Sequence, residues 1–166
     1  MTEEQQKFLR LVAGPALESE RRHEIPAAVT IAQAILESNW GRSRLFTQAN
    51  NPFGIKNTRL PEDYGEYIAR TTEYVDGKPQ ETIAHFERFI DLSTAFFHHG
   101  LMFWRLVRYW PAVEVRANAR AFAARLQSCG YSTDPNYAQK LVQVIEEYHL
   151  EDPAVVAELA VGHGGI

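Results

Sequence analysis

The chain has one cysteine, Cys129, so no intrachain disulfide can staple the fold and no thiolate cluster can hold a metal. It has no run of about eighteen apolar residues, and so no segment built to span a bilayer as a helix. A secretory leader needs a basic start, an apolar block and a small-residue cleavage site. The N-terminus, MTEEQQKFLRLVAGPALESERRHE, is instead acidic at once, with Glu3 and Glu4, and amphipathic. If the substrate lies outside the cytoplasm, the chain is either cut from something longer or delivered by other means. Basic excess is lacking too. Lys and Arg number 17 against 21 Asp and Glu, for a net charge of −4. With a pI near 5.9, neither a nucleic-acid partner nor electrostatic adhesion to an anionic surface is expected. Internal repeats, low-complexity linkers and a second module are also missing.

What is present fits one globular domain held by packing alone. The 166 residues are 45% hydrophobic and 23% charged, enough for a proper core. A monomer is expected. Residues 3–19 read as a helix that Pro15 should kink or divide. A second helix should start near Pro26, run through AAVTIAQAILESNW and stop at Gly41. Residues 42–61, with Asn50, Asn51, Pro52, Gly54 and Asn57, read as loop. The segments 66–75 and 80–90 are rich in β-branched and aromatic residues and flank Asp76-Gly77, a strong hairpin signal. Helices resume after Asp91, with a middle one over about 112–128 and a last one from Asp134-Pro135 to about His149. Asp152-Pro153 is expected to close the domain, leaving 1–150 as the folded unit and 151–166 as a loose tail. The class is α+β with segregated strands.

Among the residues able to carry chemistry, Glu37 stands first. On a wheel of about 100° per residue, Ala28, Ile31, Ala32, Ile35 and Leu36 form one stripe, and Thr30, Gln33 and Glu37 point away from it. Periodicity alone makes Glu37 a solvated helix residue. Two details oppose that. Its place in the last helical turn disfavours a carboxylate, and Trp40, three residues on, can lie against it. A carboxyl kept neutral by apolar contact can protonate a glycosidic oxygen.

Other chemistries lack their residues. His98 and His99 are adjacent and point about 100° apart on a helix, so they cannot chelate one ion together. His23, His85, His149 and His163 show no HExxH-type spacing. No GxSxG elbow or phosphate-cradling glycine loop occurs, and Cys129 has no partner for nucleophilic work. The aromatic group at 96–104 reads as helix core. No metal or other cofactor is expected.

The segments AILESNWG (34–41), NNPFGIK (50–56), RTTEYVDGK (70–78) and GYSTDPNYAQKL (130–141), in this order, resemble the glucosaminidase family of cell-wall hydrolases, glycoside hydrolase family 73. Asn39 stands where the family commonly has glycine, and Pro52 where it has leucine. The resemblance implies a lysozyme-like fold, a mainly helical lobe and a β-hairpin lobe flanking a cleft. It implies cleavage of the β-1,4 bond between N-acetylglucosamine and N-acetylmuramic acid in peptidoglycan glycan strands, at the cell wall and without membrane insertion. Glu37 would donate the proton. Glu73 matches the family's second carboxylate, as base, nucleophile or electrostatic stabiliser. Tyr131 would line the cleft beside the acid, with Tyr137 second to it. Trp40 and Phe53 are candidates for its aromatic walls, and Asn50 and Asn51 for binding N-acetyl groups. Each also has a plain reading as core, turn or solvated strand residue. Two rival functions stay open: a muramidase or lytic transglycosylase of the same fold, and a non-catalytic wall-binding module.

Overall fold

The computed structural model describes residues 1–57, 65–75 and 78–162. Helix α1 (Glu3–His23) opens with a capping box, in which Thr2 and Gln5 each bond the other's backbone N–H. Pro15 does not divide it. One lost backbone bond is offset because Val12, Ala13, Ala16 and Ser19 on either side of Pro15 are all buried. The helix ends at His23, four residues later than its sequence suggests, and Glu24 caps it in the left-handed region.

Helix α2 (Ala27–Ser38) is the centre of the molecule, packed against α1, α6 (Ala119–Ser128) and α7 (Tyr137–Glu147). It is enclosed nearly all round. Thr30 and Gln33, assigned by the wheel to a solvent side, are buried with the apolar stripe. A wheel finds the most apolar face, but it cannot see that another helix covers the opposite one. Only Glu37, in the last turn, is exposed among residues 27–38. Asn39, Trp40 and Gly41 then take consecutive left-handed conformations, with φ of 50°, 60° and 74°, and reverse the chain.

The stretch read as loop contains a short helix, α3 (Arg44–Ala49), whose first turn is capped by Ser43 Oγ accepting from Phe46 N–H. Strands β1 (Glu66–Val75) and β2 (Lys78–Glu87) form an antiparallel hairpin with Val75 opposite Lys78 and Glu66 opposite Glu87. The turn expected at Asp76-Gly77 lies outside the described residues. Asn51 ties the hairpin's base to the helical body. Its buried side chain donates to the carbonyls of Ile55 and Glu87 and accepts from Ile55 N–H.

Asp91 caps α4 (Leu92–Arg105) as expected. The single helix expected over 112–128 is in fact two. A 3-10 turn (Val107–Tyr109) leads into α5 (Trp110–Val113), and α6 starts afresh after Asn118 caps Ala121 N–H. Helix α7 begins at Tyr137 rather than at Asp134-Pro135. Those residues form a preceding turn, where Asp134 accepts from Asn136 N–H. Asp152-Pro153 does not end the structure. It caps and starts α8 (Pro153–Val161), which packs on α1 and sends Val156 into the common core. Residues 163–166 lie outside the described set. Among the described residues, no helix is long and apolar enough to cross a membrane.

The α1–α4 contact is close because Gly100 lies over α1. A Cβ there would stand 2.6 Å from both Ser19 Oγ and His23 Cδ2. Ser19 is held by its bond to Phe96 O, and the His23 ring is wedged against Phe97. Replacing a helical glycine by alanine gains about 1 kcal/mol in propensity, whereas overpacking costs about 1–3 kcal/mol. Gly100→Ala is therefore expected to lower the denaturant midpoint with an unchanged m-value, in an equilibrium urea titration. A raised midpoint would show that α1 and α4 have room to separate.

Candidate active site

The last turn of α2 opens on a cleft of about 520 Å³, within the roughly 300–1,000 Å³ of small-molecule sites. Glu37 lies at one side. Phe53, Ile55 and Lys56 enter from the loop after α3, Glu87 and Phe89 from the end of the hairpin, and His98, Met102 and Arg105 from α4. Tyr109, Tyr131 and Arg108 complete it. A second depression of about 510 Å³ lies across the molecule against α1 and α8. Of its charged lining residues, Arg116 pairs with Glu24, whereas the carboxyl raised by burial, that of Glu37, lines the first cleft. The chemistry belongs to the first.

Glu37 is positioned by the end of its helix. Trp40 N–H returns to Ile35 O, and Ser38 Oγ accepts from Gly41 N–H, which locks the turn just beyond the acid. Tyr137 Oη donates to Glu37 Oε1 at 3.1 Å, and Gln33 Nε2 donates to Tyr137 Oη at 3.1 Å. Gln33 and Glu37 share a helix face at i and i+4. One edge of Glu37 stays open, where a substrate oxygen must reach it. The walls around its carboxyl still exclude enough water to raise its pKa above the ordinary glutamate value, and the Tyr137 hydrogen bond partly opposes that shift.

Two tyrosines stand beside the acid, their rings stacked 5.6 Å apart at 19°. Burial, the largest cause, pushes both hydroxyls upward, and the neighbouring Glu37 charge adds to it, so both are neutral donors throughout the working range. Tyr131 is aimed by the end of α6. Gly130, at φ 74°, lets Tyr131 N–H return to Leu126 O and its own N–H to Gln127 O, a Schellman closure. Behind Tyr131, His99 Nε2 lies 3.2 Å from its hydroxyl oxygen. His99 is fully buried, and burial holds its pKa down to about 3, so it is neutral.

The other expected site residues divide. Phe53 lines the cleft and stacks on His99 at 3.8 Å. Trp40 does not line it. The left-handed reversal after α2 swings its ring edge-on against Phe8 and Tyr148, at 5.9 and 5.2 Å. Asn50 and Asn51 face backbone rather than ligand: Asn50 Nδ2 donates to Phe89 O and Ile90 O, and Asn51 is the hairpin tie described above. Glu73 sits opposite Gln80 in the hairpin register. Its side chain lies outside the described set. The sequence reading missed Gln33, His99 and Glu87. Gln33 could have been found from its i, i+4 spacing to Glu37. Nothing local marks His99 or Glu87.

Since folding raises the Glu37 pKa, the folded chain binds that proton more tightly than the unfolded chain does. Ionising the acid near neutrality therefore costs stability. Glu37→Gln keeps the acceptor for Tyr137 and removes this cost. Its melting temperature should exceed wild type at pH 7, and the gap should close as pH falls below the ordinary glutamate range. Equal melting temperatures at pH 7 would contradict the desolvation.

A model of the family described as mannosyl-glycoprotein endo-beta-N-acetylglucosaminidase matches residues 13–150. The exo-glucosaminidase LytG of Bacillus subtilis is 34% identical over 156 residues, or 90% of this chain and 54% of LytG. The chain thus spans about half the length of that relative. The catalytic domain of the autolysin Auto from Listeria monocytogenes superposes with a TM-score of 0.79 at 30% identity, covering 90% of this chain and 87% of that one. The glycoside hydrolase domain of FlgJ from Salmonella typhimurium gives 0.71 at 32% identity, covering 87% and 97%. With the helical body, the hairpin and the acid-bearing cleft between them, this chain belongs to the glucosaminidase family of glycoside hydrolases and has its lysozyme-like α+β fold.

Proposed function

We propose that the chain cleaves peptidoglycan glycan strands as an endo-β-N-acetylglucosaminidase, cutting the β-1,4 bond between N-acetylglucosamine and N-acetylmuramic acid with Glu37 as general acid. It acts as a monomer at the cell wall without entering the membrane, and its catalytic residues lie within 1–150. The observation that carries this reading is the carboxyl of Glu37, desolvated yet open to the cleft, with one neutral hydroxyl bonded to it. Cleaving a glycoside near neutral pH requires a proton for the departing oxygen, and a desolvated carboxyl holds one. Once the proton leaves, the Tyr137 hydroxyl bonds the new carboxylate. The apolar walls, Phe53 among them, suit the faces of sugar rings. Arg105 and Arg108, which also line it, suit the carboxylates of the peptide stems borne by muramic acid.

Glu73 serves as the second carboxylate. A separation from Glu37 of about 5–5.5 Å in the complex makes it a nucleophile with retention and about 6.5–9.5 Å a base with inversion, while assistance by the substrate's N-acetyl group would leave it an electrostatic stabiliser. Glu87, already on the cleft wall, is its control.

Digestion of purified peptidoglycan, borohydride reduction and mass spectrometry test the reading. Wild type should release fragments with reduced N-acetylglucosamine ends, and Glu37→Gln should release fewer by a factor of about 100 or more. Glu73→Gln should lose about 100-fold and Glu87→Gln less than about tenfold. Reduced muramic acid ends would make the enzyme a muramidase, and anhydro ends a transglycosylase. No release by wild type would leave a wall-binding module.

The Tyr137 bond holds the Glu37 pKa down relative to burial alone, so its loss has a defined sign. Tyr137→Phe should move the alkaline limb of the kcat/KM profile to higher pH, because the acid keeps its proton longer. An unmoved or lowered limb would mean that Glu37 does not set that limb.

A further inference from the structure

We propose that His99 is a positioning residue: it donates its Nε2–H to Tyr131 Oη and so turns the Tyr131 hydroxyl proton away from itself, into the cleft. This rests on Tyr131 working in the cleft beside Glu37. It adds a direction to that hydroxyl, which the resemblance to other chains does not supply.

The argument is one of hydrogen-bond accounting. His99 is fully buried in the middle of α4, between the stacked ring of Phe53 at 3.8 Å and the edge-on ring of Phe103 at 4.8 Å. Among the described residues, its Nε2 has one partner, Tyr131 Oη at 3.2 Å, and its Nδ1 has none. A neutral imidazole carries a single proton, on one nitrogen or the other. With the proton on Nδ1, an N–H donor would be buried without an acceptor, while Tyr131 would spend its only proton on Nε2. With the proton on Nε2, the orphan is a ring lone pair, and every N–H is satisfied. Orphaned buried N–H groups are the rarer and costlier case. The second arrangement is therefore the one the site holds.

Its consequence reaches the chemistry. In the first arrangement Tyr131 presents only lone pairs to the cleft. In the second it presents an O–H beside Glu37 and the substrate oxygens. The stacked Tyr137 ring and the wall of Phe103 hold the Tyr131 ring in place from either side. Direction of the proton is then the remaining freedom, and His99 removes it. A polar residue costs more than phenylalanine at such a position unless its hydrogen bond is used.

The test has two arms. In long-range nitrogen–proton NMR of the labelled wild-type chain near neutral pH, assigned by comparison with His99→Gln, His99 should carry its proton on Nε2. A proton on Nδ1 overturns the proposal. In the second arm, kcat and KM on peptidoglycan fragments are measured for His99→Phe, Tyr131→Phe, the double variant and His99→Gln. Glutamine places an N–H at the same bond distance from Cβ as Nε2, so it keeps the donor. Losing a preorganised donor costs about 100-fold in kcat. Each single phenylalanine variant and the double variant should show this same loss, with KM little changed and His99→Gln recovering most of it. Losses that multiply in the double variant, or a fully active His99→Phe, overturn the proposal. So does a His99→Gln that loses as much as His99→Phe while melting like wild type. If Tyr131→Phe alone is fully active, the role of Tyr131 fails, and the nitrogen measurement still decides which way His99 directs its proton.

Discussion

A helix surrounded on nearly every side by other helices meets water only at its ends, and at the C-terminal end of α2 the residue that meets it is Glu37. The central placement of α2 sets the rest. Packing on α1, α6 and α7 buries Thr30, Gln33 and the apolar stripe together, so the carboxyl at the last turn leaves a dry interior rather than a wet surface. The helix end adds its own bias, since the partial negative charge of the last carbonyls disfavours a second negative charge there. Desolvation and dipole act in the same direction, and Tyr137 moderates them from the neighbouring helix.

The cleft needs a second wall at a fixed distance, and a two-stranded hairpin is marginal on its own. Asn51 supplies the anchorage. By bonding Ile55 and Glu87 backbone groups from a buried position, it joins the loop after α3 to the hairpin's base. Asn50 does the same toward Phe89 and Ile90. The two asparagines that the resemblance offers for acetamido groups thus spend their amide N–H groups on backbone, and Phe53 and Tyr131 line the cleft with the α4 side chains. Polar side chains that carry irregular backbone are as much part of a cleft as those that face into it, because loop carbonyls left bare and buried would each cost stability.

The fold was legible where the signal is local. The hairpin strands follow from two segments rich in β-branched and aromatic residues, α4 from its aspartate cap, and α2 from the apolar run that begins after Pro26. Where signals were ambiguous, the reading slipped in a consistent way. The Asp-Pro pair is one signature with two outcomes here: at 152–153 it starts α8, which was read as tail, and at 134–135 it makes a turn ahead of α7. Asn118 is a cap in the middle of what composition makes one continuous helix. Ser43 starts α3 inside a stretch dominated by turn formers. The acid was placed by resemblance, since periodicity alone left it a solvated glutamate. Gln33 was legible only as a helix-face neighbour of Glu37 and His99 not at all, because their partners, Tyr137 and Tyr131, lie far along the chain and only the folded structure brings them within hydrogen-bond reach.

The central claim is that burial of α2 raises the proton affinity of one carboxyl. The most direct measurement is the pH titration of the Glu37 side-chain carboxyl carbon by NMR in the free chain, assigned by its loss in Glu37→Gln. The account predicts a midpoint above that of an ordinary glutamate. A Glu37 midpoint at or below the ordinary value would contradict it, because the carboxyl would then be solvated like any surface acid.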